Sequence, residues 1–142
     1  MRRDANRPTG EGKIAERTHF GSGAPWEAAV GYSRAVRVGN VIHVAGTTAL
    51  DEQGQMVGEG DAYAQARQAL LNIRVVLERA DSGLADVVRT RIYVTDISRW
   101  EAFGRAHKEA FGESPPTTSM VEVSSLIHSD MLIEIEAEAV VE

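Results

Sequence analysis

The chain has 142 residues, 43% of them hydrophobic and 25% charged, as in an ordinary globular domain. Its 15 basic and 21 acidic side chains give a net charge of −6, which disfavours nucleic-acid binding through phosphate contacts. The lack of cysteine excludes disulfides, thiolate metal sites and a cysteine nucleophile.

The polar, glycine-containing residues 1–22 predict a loose or partner-docked N-terminal arm, followed by one domain over residues 23–142. The first ten residues carry no apolar core of the kind that a secretory signal needs. No run of about 18 apolar residues occurs, as a membrane-spanning helix would require. The expected location is therefore the cytoplasm, without a membrane partner.

A β-hairpin is predicted next, with strands over residues 33–38 and 41–49 joined by a tight turn at Gly39-Asn40. Because side chains alternate across a strand, the second strand divides into two faces. One face carries Val41, His43, Ala45 and Thr47, and the other carries Ile42, Val44, Gly46 and Thr48.

Two helices are predicted from their caps and apolar stripes. The first begins at an N-cap, Asp61, and ends near Ala80, with Gly83 available for a left-handed cap. The second begins at a capping box formed by Ser98 and Glu101. The apolar face of each helix is expected to pack against a β-sheet. The stripe of the second helix is Trp100, Phe103, His107, Ala110 and Phe111.

Three further strands are predicted over residues 87–94, 115–123 and 132–141. In the first of them, Val88 and Thr90 share one face, while Arg89 and Arg91 share the other. The complete order is β-β-α-β-α-β-β, which predicts a single α+β domain with two helices on one face of a mostly antiparallel sheet. The uncovered face predicts an oligomer with a cleft between subunits.

The last strand alternates most clearly. Neighbouring side chains on one face of a strand lie roughly 6.5–7 Å apart, so a row of carboxylates repels unless water or cations neutralise it. Such a row is either a solvated face or part of a site, and arginines on residues 87–94 can pair with it if the strands adjoin. The row comprises Glu134, Glu136 and Glu138, and the opposite face carries Ile133, Ile135, Ala137, Ala139 and Val141.

Several segments together resemble the Rid family, also called YjgF and often labelled endoribonuclease L-PSP. The resemblance runs from about Tyr32 to Val141. The segments are Gly31-Tyr32-Ser33-Arg34-Ala35-Val36, Gly39-Asn40-Val41, Ala45-Gly46, the helix around Gln65, Leu70 and Asn72-Ile73, and Pro116…Val121-Glu122-Val123…Ile133-Glu134-Ile135-Glu136-Ala137. The family implies a chorismate-mutase-like fold and a homotrimer with three clefts between subunits. Its best-understood branch hydrolyses 2-imino or 2-enamino acids to 2-keto acids and ammonia, without a cofactor or metal.

The resemblance implies Glu134 as the catalytic residue, associated with the attacking water, and Tyr32 as a site residue. Thr118 stands where the deaminase branch has the arginine of Pro-x-Arg, and its hydroxyl cannot form the paired charge-assisted contacts of a guanidinium. Ala45 replaces a serine, and Gly104 corresponds to an asparagine. The candidate substrate-binding residues are Tyr32, Ala45, Gly46, Arg91, Thr118 and Met120.

Three functions follow as hypotheses. The first is a Rid-like hydrolase with altered substrate choice, in which Arg91 or Arg89 replaces the lost cation, unless these arginines pair with the glutamates. His43 is a further candidate for proton transfer, since histidine titrates near neutrality. The second is a non-catalytic trimer that binds a small ligand or a partner in its clefts. RNA cleavage is disfavoured by the charge, and no spacing of histidines and carboxylates predicts a metal site.

Overall fold

A six-stranded sheet dominates the computed structural model, which describes residues 16–142. The strands are β1 (Arg17–Phe20), β2 (Ala35–Val38), β3 (Val41–Thr47), β4 (Val87–Val94), β5 (Thr117–Glu122) and β6 (Ile133–Val140). They lie side by side in the order β1-β2-β3-β6-β4-β5. All neighbours are antiparallel except β4 and β5, which are parallel.

The helices are α1 (Pro25–Val30), α2 (Ala62–Arg79) and α3 (Trp100–Phe111), with short 3₁₀ turns at Leu84–Asp86 and Ile97–Arg99. The long helix α2 packs against α3 and lies over β3 and β6. Its apolar stripe and that of α3 form one core with the inner face of the sheet. The predicted α+β architecture is therefore confirmed. Within residues 16–142, none of the helices combines the length and apolarity needed to cross a bilayer.

Strand β6 lies at the centre of the sheet and alternates as predicted. Ile133, Ile135, Ala137 and Ala139 are each at most 2% exposed, because they face the helices. The three glutamates between them are half-buried on the opposite face, which we call the open face. Since β6 pairs with both β3 and β4, the glutamate row is flanked by side chains of both neighbours.

The start of the chain differs from the sequence prediction. Residues 1–15 of the predicted arm lie outside the described residues, but Arg17–Phe20 form β1, which pairs with β2 from Arg17↔Val38 to Phe20↔Ala35. The side chains of β1 are largely exposed, so this edge strand lacks the apolar alternation by which strands are recognised. The short helix α1 was likewise not predicted.

The first long helix begins as predicted and ends differently. Asp61 accepts a hydrogen bond from the Ala64 backbone nitrogen at 3.0 Å, as an N-cap should. The left-handed residue after the helix is Asp81, with a φ of 58°, whereas Gly83 is extended at a φ of −165°. The predicted glycine cap is therefore wrong. Aspartate is one of the few residues besides glycine that adopts this conformation readily.

The second long helix does not use the predicted capping box. The carboxylate of Asp96 accepts from the backbone nitrogen and hydroxyl of Ser98 at 3.0 and 2.6 Å, and a 3₁₀ turn precedes the helix. Trp100, the first residue of α3, is 56% exposed and lies outside the buried stripe.

Strand β4 also departs from the predicted alternation, which placed Val88 on the same face as the buried Thr90. Val88 is 46% exposed because the register between β4 and β6 shifts between Val87 and Arg89.

A buried glutamine on α2 fixes the approach to β6. Gln65 is 0% exposed, and its Nε2 donates to the carbonyls of Gly58 and Asp130 at 3.2 and 2.9 Å. Its Oε1 accepts from the backbone nitrogen of Leu132 at 2.9 Å. These bonds hold the end of the loop that leads into β6, and so help to position Glu134.

Gln65→Leu is expected to lower the free energy of unfolding by about 1–3 kcal/mol for each buried group left without a partner. Urea unfolding measures this loss. Gln68→Leu, in the same helix, removes a single partly buried contact to Asn72 and is expected to cost less. Equal stability of the Gln65 variant and the unsubstituted chain would show that water replaces the glutamine.

Candidate active site

The glutamate row on the open face is neutralised unevenly. Arg91 Nη1 lies 3.2 Å from Glu138 Oε1 and 4.0 Å from Glu136 Oε2, and Arg89 Nε lies 3.7 Å from Glu138 Oε2. Arg89 and Arg91 therefore pair with Glu136 and Glu138. The sequence analysis gave this pairing as the alternative to a role in binding substrate. Neither arginine forms an ion pair with Glu134 among the described residues.

His43 also lies at the far end of the row. It is opposite Glu138 in the register of β3 and β6, and its Nδ1 is 3.9 Å from Glu138 Oε1. Successive open-face residues of a strand are roughly 6.5–7 Å apart, so His43 is separated from Glu134 by two such steps. The structure does not bring this histidine to Glu134 within one chain.

A bulge in β3 brings Gly46 to Glu134. The register between β3 and β6 shifts between Val44 and Thr47, so that Thr47 is buried on the helix side. The prediction that Gly46 shares a face with Val44 is wrong for this reason. A Cβ atom at position 46 would lie 2.7 Å from Glu134 Cδ and 2.8 Å from its Oε2. Only glycine permits this approach of the carboxyl group to the backbone.

The position of Glu134 changes its acidity. Burial and the neighbouring charge of Glu136 raise the pKa of Glu134 above its ordinary value, and Arg34 acts in the opposite direction. Tyr93 is opposite Glu134 in β4, and interaction with the carboxyl group of Glu136 raises the pKa of its phenol. Glu134 is thus a carboxyl group of increased basicity, half-buried beside a glycine.

Among residues 16–142, Arg34 is the cation whose charge acts on Glu134. Its backbone is held by two neighbouring strands, since its nitrogen donates to Phe20 O at 2.7 Å and its carbonyl accepts from Ala45 N at 3.0 Å. Its Nη2 donates to the carbonyl of Gly46 at 2.5 Å. The guanidinium and the carboxyl group of Glu134 therefore both contact the same glycine.

Part of the Arg34 guanidinium has no partner. Within residues 16–142, its Nε is the one fully buried side-chain nitrogen or oxygen without a hydrogen bond. Burial lowers the pKa of Arg34, while charges at Tyr32, Glu27 and Glu134 raise it, which places these groups around the guanidinium. An unpaired buried N–H costs about 1–3 kcal/mol, so an acceptor that reached it would be held firmly.

The sequence contained no local signal for this role of Arg34. The residue precedes a strand, where polar side chains are ordinary, and its contacts are formed with β1, β3 and β6. Arg34 is part of Gly31-Tyr32-Ser33-Arg34-Ala35-Val36, which resembles the Rid family, but the predicted replacements for the lost cation, Arg89 and Arg91, are on β4. Tyr32, by contrast, was predicted and lies beside Arg34.

Two predicted site residues lie on the other side of the sheet. The hydroxyl of Thr118 is 2.7 Å from that of the buried Thr90, and Met120 packs against the core. Both point from β5 towards the helices, whereas Glu134 points away from them. Within one chain, Gly46 is brought to Glu134 and Tyr32 lies near Arg34, whereas Thr118 and Met120 are on the other side of the sheet. Ala45 is in the bulge beside Gly46.

The group around Glu134 has the parts needed to activate water. A carboxylate of raised pKa can orient a water molecule and take its proton, and a cation beside it can bind an oxyanion. Among the described residues, no cluster of three or more histidine, aspartate or glutamate side chains is arranged to hold a metal ion.

Gly46→Ala tests the close approach to Glu134. The added methyl group would displace the end of a side chain rather than the backbone, so stability should change little while the carboxyl group moves. We expect turnover to fall by about 10²-fold, because small misplacements of a catalytic group have effects of this size. Turnover and thermal unfolding are measured together, with Gly83→Ala as the control, because an added methyl group at this extended position meets nothing within 4 Å.

Comparison with known proteins gives consistent matches. The sequence profile described as Endoribonuclease L-PSP matches residues 22–141. The crystal structure of a Mycobacterium tuberculosis protein of the YjgF/YER057c/UK114 family superposes with a TM-score of 0.81 at 53% identity, over 89% of this chain and 100% of that chain. An uncharacterized Streptomyces coelicolor protein is 40% identical over 119 residues, 83% of this chain and 87% of that protein. The 3-aminoacrylate deaminase RutC of Acinetobacter baylyi is 36% identical over 108 residues, 76% of this chain and 85% of that protein.

Proposed function

Because the chain belongs to the Rid family, also described as YjgF or endoribonuclease L-PSP, we propose that it is a hydrolase of small imines or enamines with altered substrate specificity. One relative is named as a 3-aminoacrylate deaminase, which supports this class of chemistry. The observation that carries the proposal is the half-buried carboxyl group of Glu134, which abuts Gly46 and has a raised pKa.

In the proposed reaction, Glu134 holds a water molecule against the carbon of the C=N bond. The substrate reacts as its protonated iminium form. As the water oxygen attacks, Glu134 takes one proton from the water and the iminium nitrogen becomes a neutral amine. Glu134 then gives that proton to the amine, the C–N bond breaks, and ammonia leaves as the hydroxyl group loses its proton to Glu134 and becomes the carbonyl. Burial supports the role of Glu134, since a raised pKa makes a carboxylate a better base near neutrality. The reaction requires neither a metal nor a cofactor.

The proposed change in substrate specificity rests on which cation can bind the substrate anion. Thr118 offers a hydroxyl that is already bonded to Thr90, and Arg91 is paired with glutamates. Arg34 is the cation with a free N–H beside Glu134. We therefore place the oxyanion of the substrate at Arg34. This geometry differs from one in which the cation is at position 118, so the shortest 2-imino acids should be poor substrates.

The chain is proposed to form a homotrimer, with small ligands bound in clefts between subunits. One chain separates Thr118 and Met120 from Glu134 by the thickness of its sheet, so a site containing all three requires a second copy. The long helices α2 and α3 both belong to the core on the other face of the sheet. Light scattering should give a mass near 46 kDa, three times the 15.4 kDa of the chain. A mass near 15.4 kDa at micromolar concentration would exclude the shared cleft.

The second candidate function is a non-catalytic module that binds a ligand or partner in the same clefts. The observation that favours it is the loss of polar groups at Ala45 and Thr118, since one has no hydroxyl and the other is engaged by Thr90. A binding module would retain affinity for a small carboxylate but release no ammonia from any imine.

The experiment is an ammonia-release assay with a panel of imines generated in the cuvette. The panel includes 2-iminopropionate, 2-iminobutyrate, longer 2-imino acids and 3-aminoacrylate. We expect turnover of at least one longer or enamine substrate, and slow turnover of the two shortest imino acids. Binding of carboxylates without any ammonia release would favour the binding module. Fast turnover of the shortest imino acids would contradict the altered specificity.

A further inference from the structure

A small open cavity lies on the outer surface of the helix layer, beside the first turns of α2. Its volume is about 280 Å³, close to the lower end, roughly 300 Å³, of the range for pockets that bind small molecules. Most of its lining belongs to the side of α2 that faces away from the buried stripe, so the helix and the sheet separate the cavity from Glu134. The lining residues are Val57, Tyr63, Ala64, Arg67, Gln68 and Leu71.

The wall of the cavity opposite α2 is held in place by backbone hydrogen bonds. The nitrogen of Val57 donates to the carbonyl of Ala49 at 2.9 Å, which fixes the loop that precedes the helix. The carbonyl of the next residue, Gly58, accepts from Nε2 of the buried Gln65 at 3.2 Å. Loop and helix are therefore joined, and a ligand would meet a cavity that is already formed, which lowers the entropic cost of binding.

Tyr63 gives the cavity a fixed aromatic wall. Its hydroxyl donates to a carboxylate oxygen of Glu109 on α3, and the guanidinium of Arg105 lies over its ring, 4.2 Å from the centroid. The hydrogen bond to Glu109 raises the pKa of Tyr63, while the charges of Arg67 and Arg105 lower it, so both guanidinium groups lie near the phenol. A ring held by two contacts is a preformed flat surface for another aromatic ring.

Arg67 is the cation of the cavity lining. It is exposed and forms no ion pair within the part of the chain that the structure describes. Arg74, two turns further along α2, is by contrast paired with Glu78, with Nε 3.7 Å from Oε1. A guanidinium binds a carboxylate through two parallel hydrogen bonds, and no carboxylate of residues 16–142 occupies Arg67 in this way. An anion in the cavity would therefore meet an available partner.

We propose that this cavity is a second ligand site, which binds a small aromatic carboxylate. The ring of the ligand packs between Tyr63 and Leu71, and its carboxylate pairs with Arg67. The volume admits one ring, and a single guanidinium in an otherwise uncharged lining matches one negative charge. A cationic ligand is disfavoured, because Arg67 and Arg105 would repel it. Binding at this site is independent of imine hydrolysis, since Glu134 takes no part in it.

The test is a fluorine NMR titration of 4-fluorophenylacetate with the full chain carrying Arg34→Gln, so that the proposed anion site beside Glu134 does not contribute. Arg67→Gln should weaken binding by about fivefold, the upper end for an exposed ion pair. Leu71→Ser should weaken it by roughly threefold, because part of the apolar contact is lost. Both side chains are exposed, so neither change should affect folding. Backbone amide shifts on saturation should be largest at Ala64 and Gln68.

The matched controls are Arg74→Gln and Val75→Ser, which change exposed residues of the same helix outside the cavity. Both should bind the probe as the parent does. The neutral amide 4-fluorophenylacetamide should bind the parent about fivefold more weakly than the acid, and Arg67→Gln should remove this difference. Equal affinity of the parent for acid and amide would overturn the carboxylate assignment. Equal effects of Arg67→Gln and Arg74→Gln, amide shifts confined to residues around Glu134, or no saturable binding would each overturn the site.

Discussion

Glu134→Gln is expected to lower kcat/KM for imine hydrolysis by about 10²–10⁴-fold, the usual contribution of a general base. Glutamine keeps the shape that fits against Gly46 but cannot take a proton from water. The variant should remain assembled, because Glu134 forms no ion pair among the described residues. Activity is measured on whichever substrate of the imine panel is turned over best, and assembly is measured by light scattering.

The same variant should be at least as stable as the unsubstituted chain at neutral pH. A folded-state pKa raised above the unfolded value means that the protonated carboxyl group is favoured in the fold. The favourable contribution of Glu134 is therefore present at low pH and is lost as pH rises from the unfolded value through the raised folded value. Glutamine removes this penalty. Loss of both stability and assembly would instead identify Glu134 as a structural residue.

Two neighbouring glutamates provide controls. Glu138→Gln changes a residue that is paired with Arg89 and Arg91, so it should leave turnover nearly unchanged. Glu136 raises the pKa of Glu134, and Glu136→Gln should therefore move the acid limb of the pH–rate profile to lower pH. If Glu134→Gln turns over the substrate as fast as the unsubstituted chain, Glu134 is not the catalytic residue.

Arg34→Gln is expected to weaken the use of anionic imines by roughly 30- to 4,000-fold in kcat/KM. Loss of one partner from a buried charge pair costs about 2–5 kcal/mol, and each 1.4 kcal/mol is tenfold. Arg34→Lys should recover part of the loss, because an ammonium keeps the charge but cannot form the paired contacts of a guanidinium. The measurement compares an imino acid with the matched imine that lacks the carboxylate.

The rates of the Arg34 variants on charged and uncharged imines must be compared at a pH above the acid limb of the pH–rate profile. Arg34 lowers the pKa of Glu134, so Arg34→Gln also moves that limb to higher pH. At a pH well above it, the effect on the uncharged imine should be small. Arg89→Gln is the matched control, because Arg89 pairs with Glu138 on the same face. Equal losses for charged and uncharged imines would show that Arg34 positions Glu134 and does not bind substrate.

The amino-acid sequence by itself determined the elements whose signals are local. The alternation in β6 specified its buried face, and Asp61 specified the start of α2, because strand period and N-cap geometry depend on residues a few positions apart. The same alternation placed Glu134 on the open face. The order of helices and strands, with their apolar stripes, was sufficient to predict an α+β domain with one covered sheet face.

Only the tertiary structure decided what surrounds Glu134. Strict alternation along β3 assigns Gly46 to the helix side of the sheet. The β-bulge that turns Gly46 to the open face forms only where β3 pairs with β6, nearly ninety residues away in sequence. The same pairing gives Arg34 its neighbours, and the parallel contact of β4 with β5 joins Thr118 to Thr90. Register between distant strands is set by the packing of the whole sheet, so no window of sequence contains these contacts.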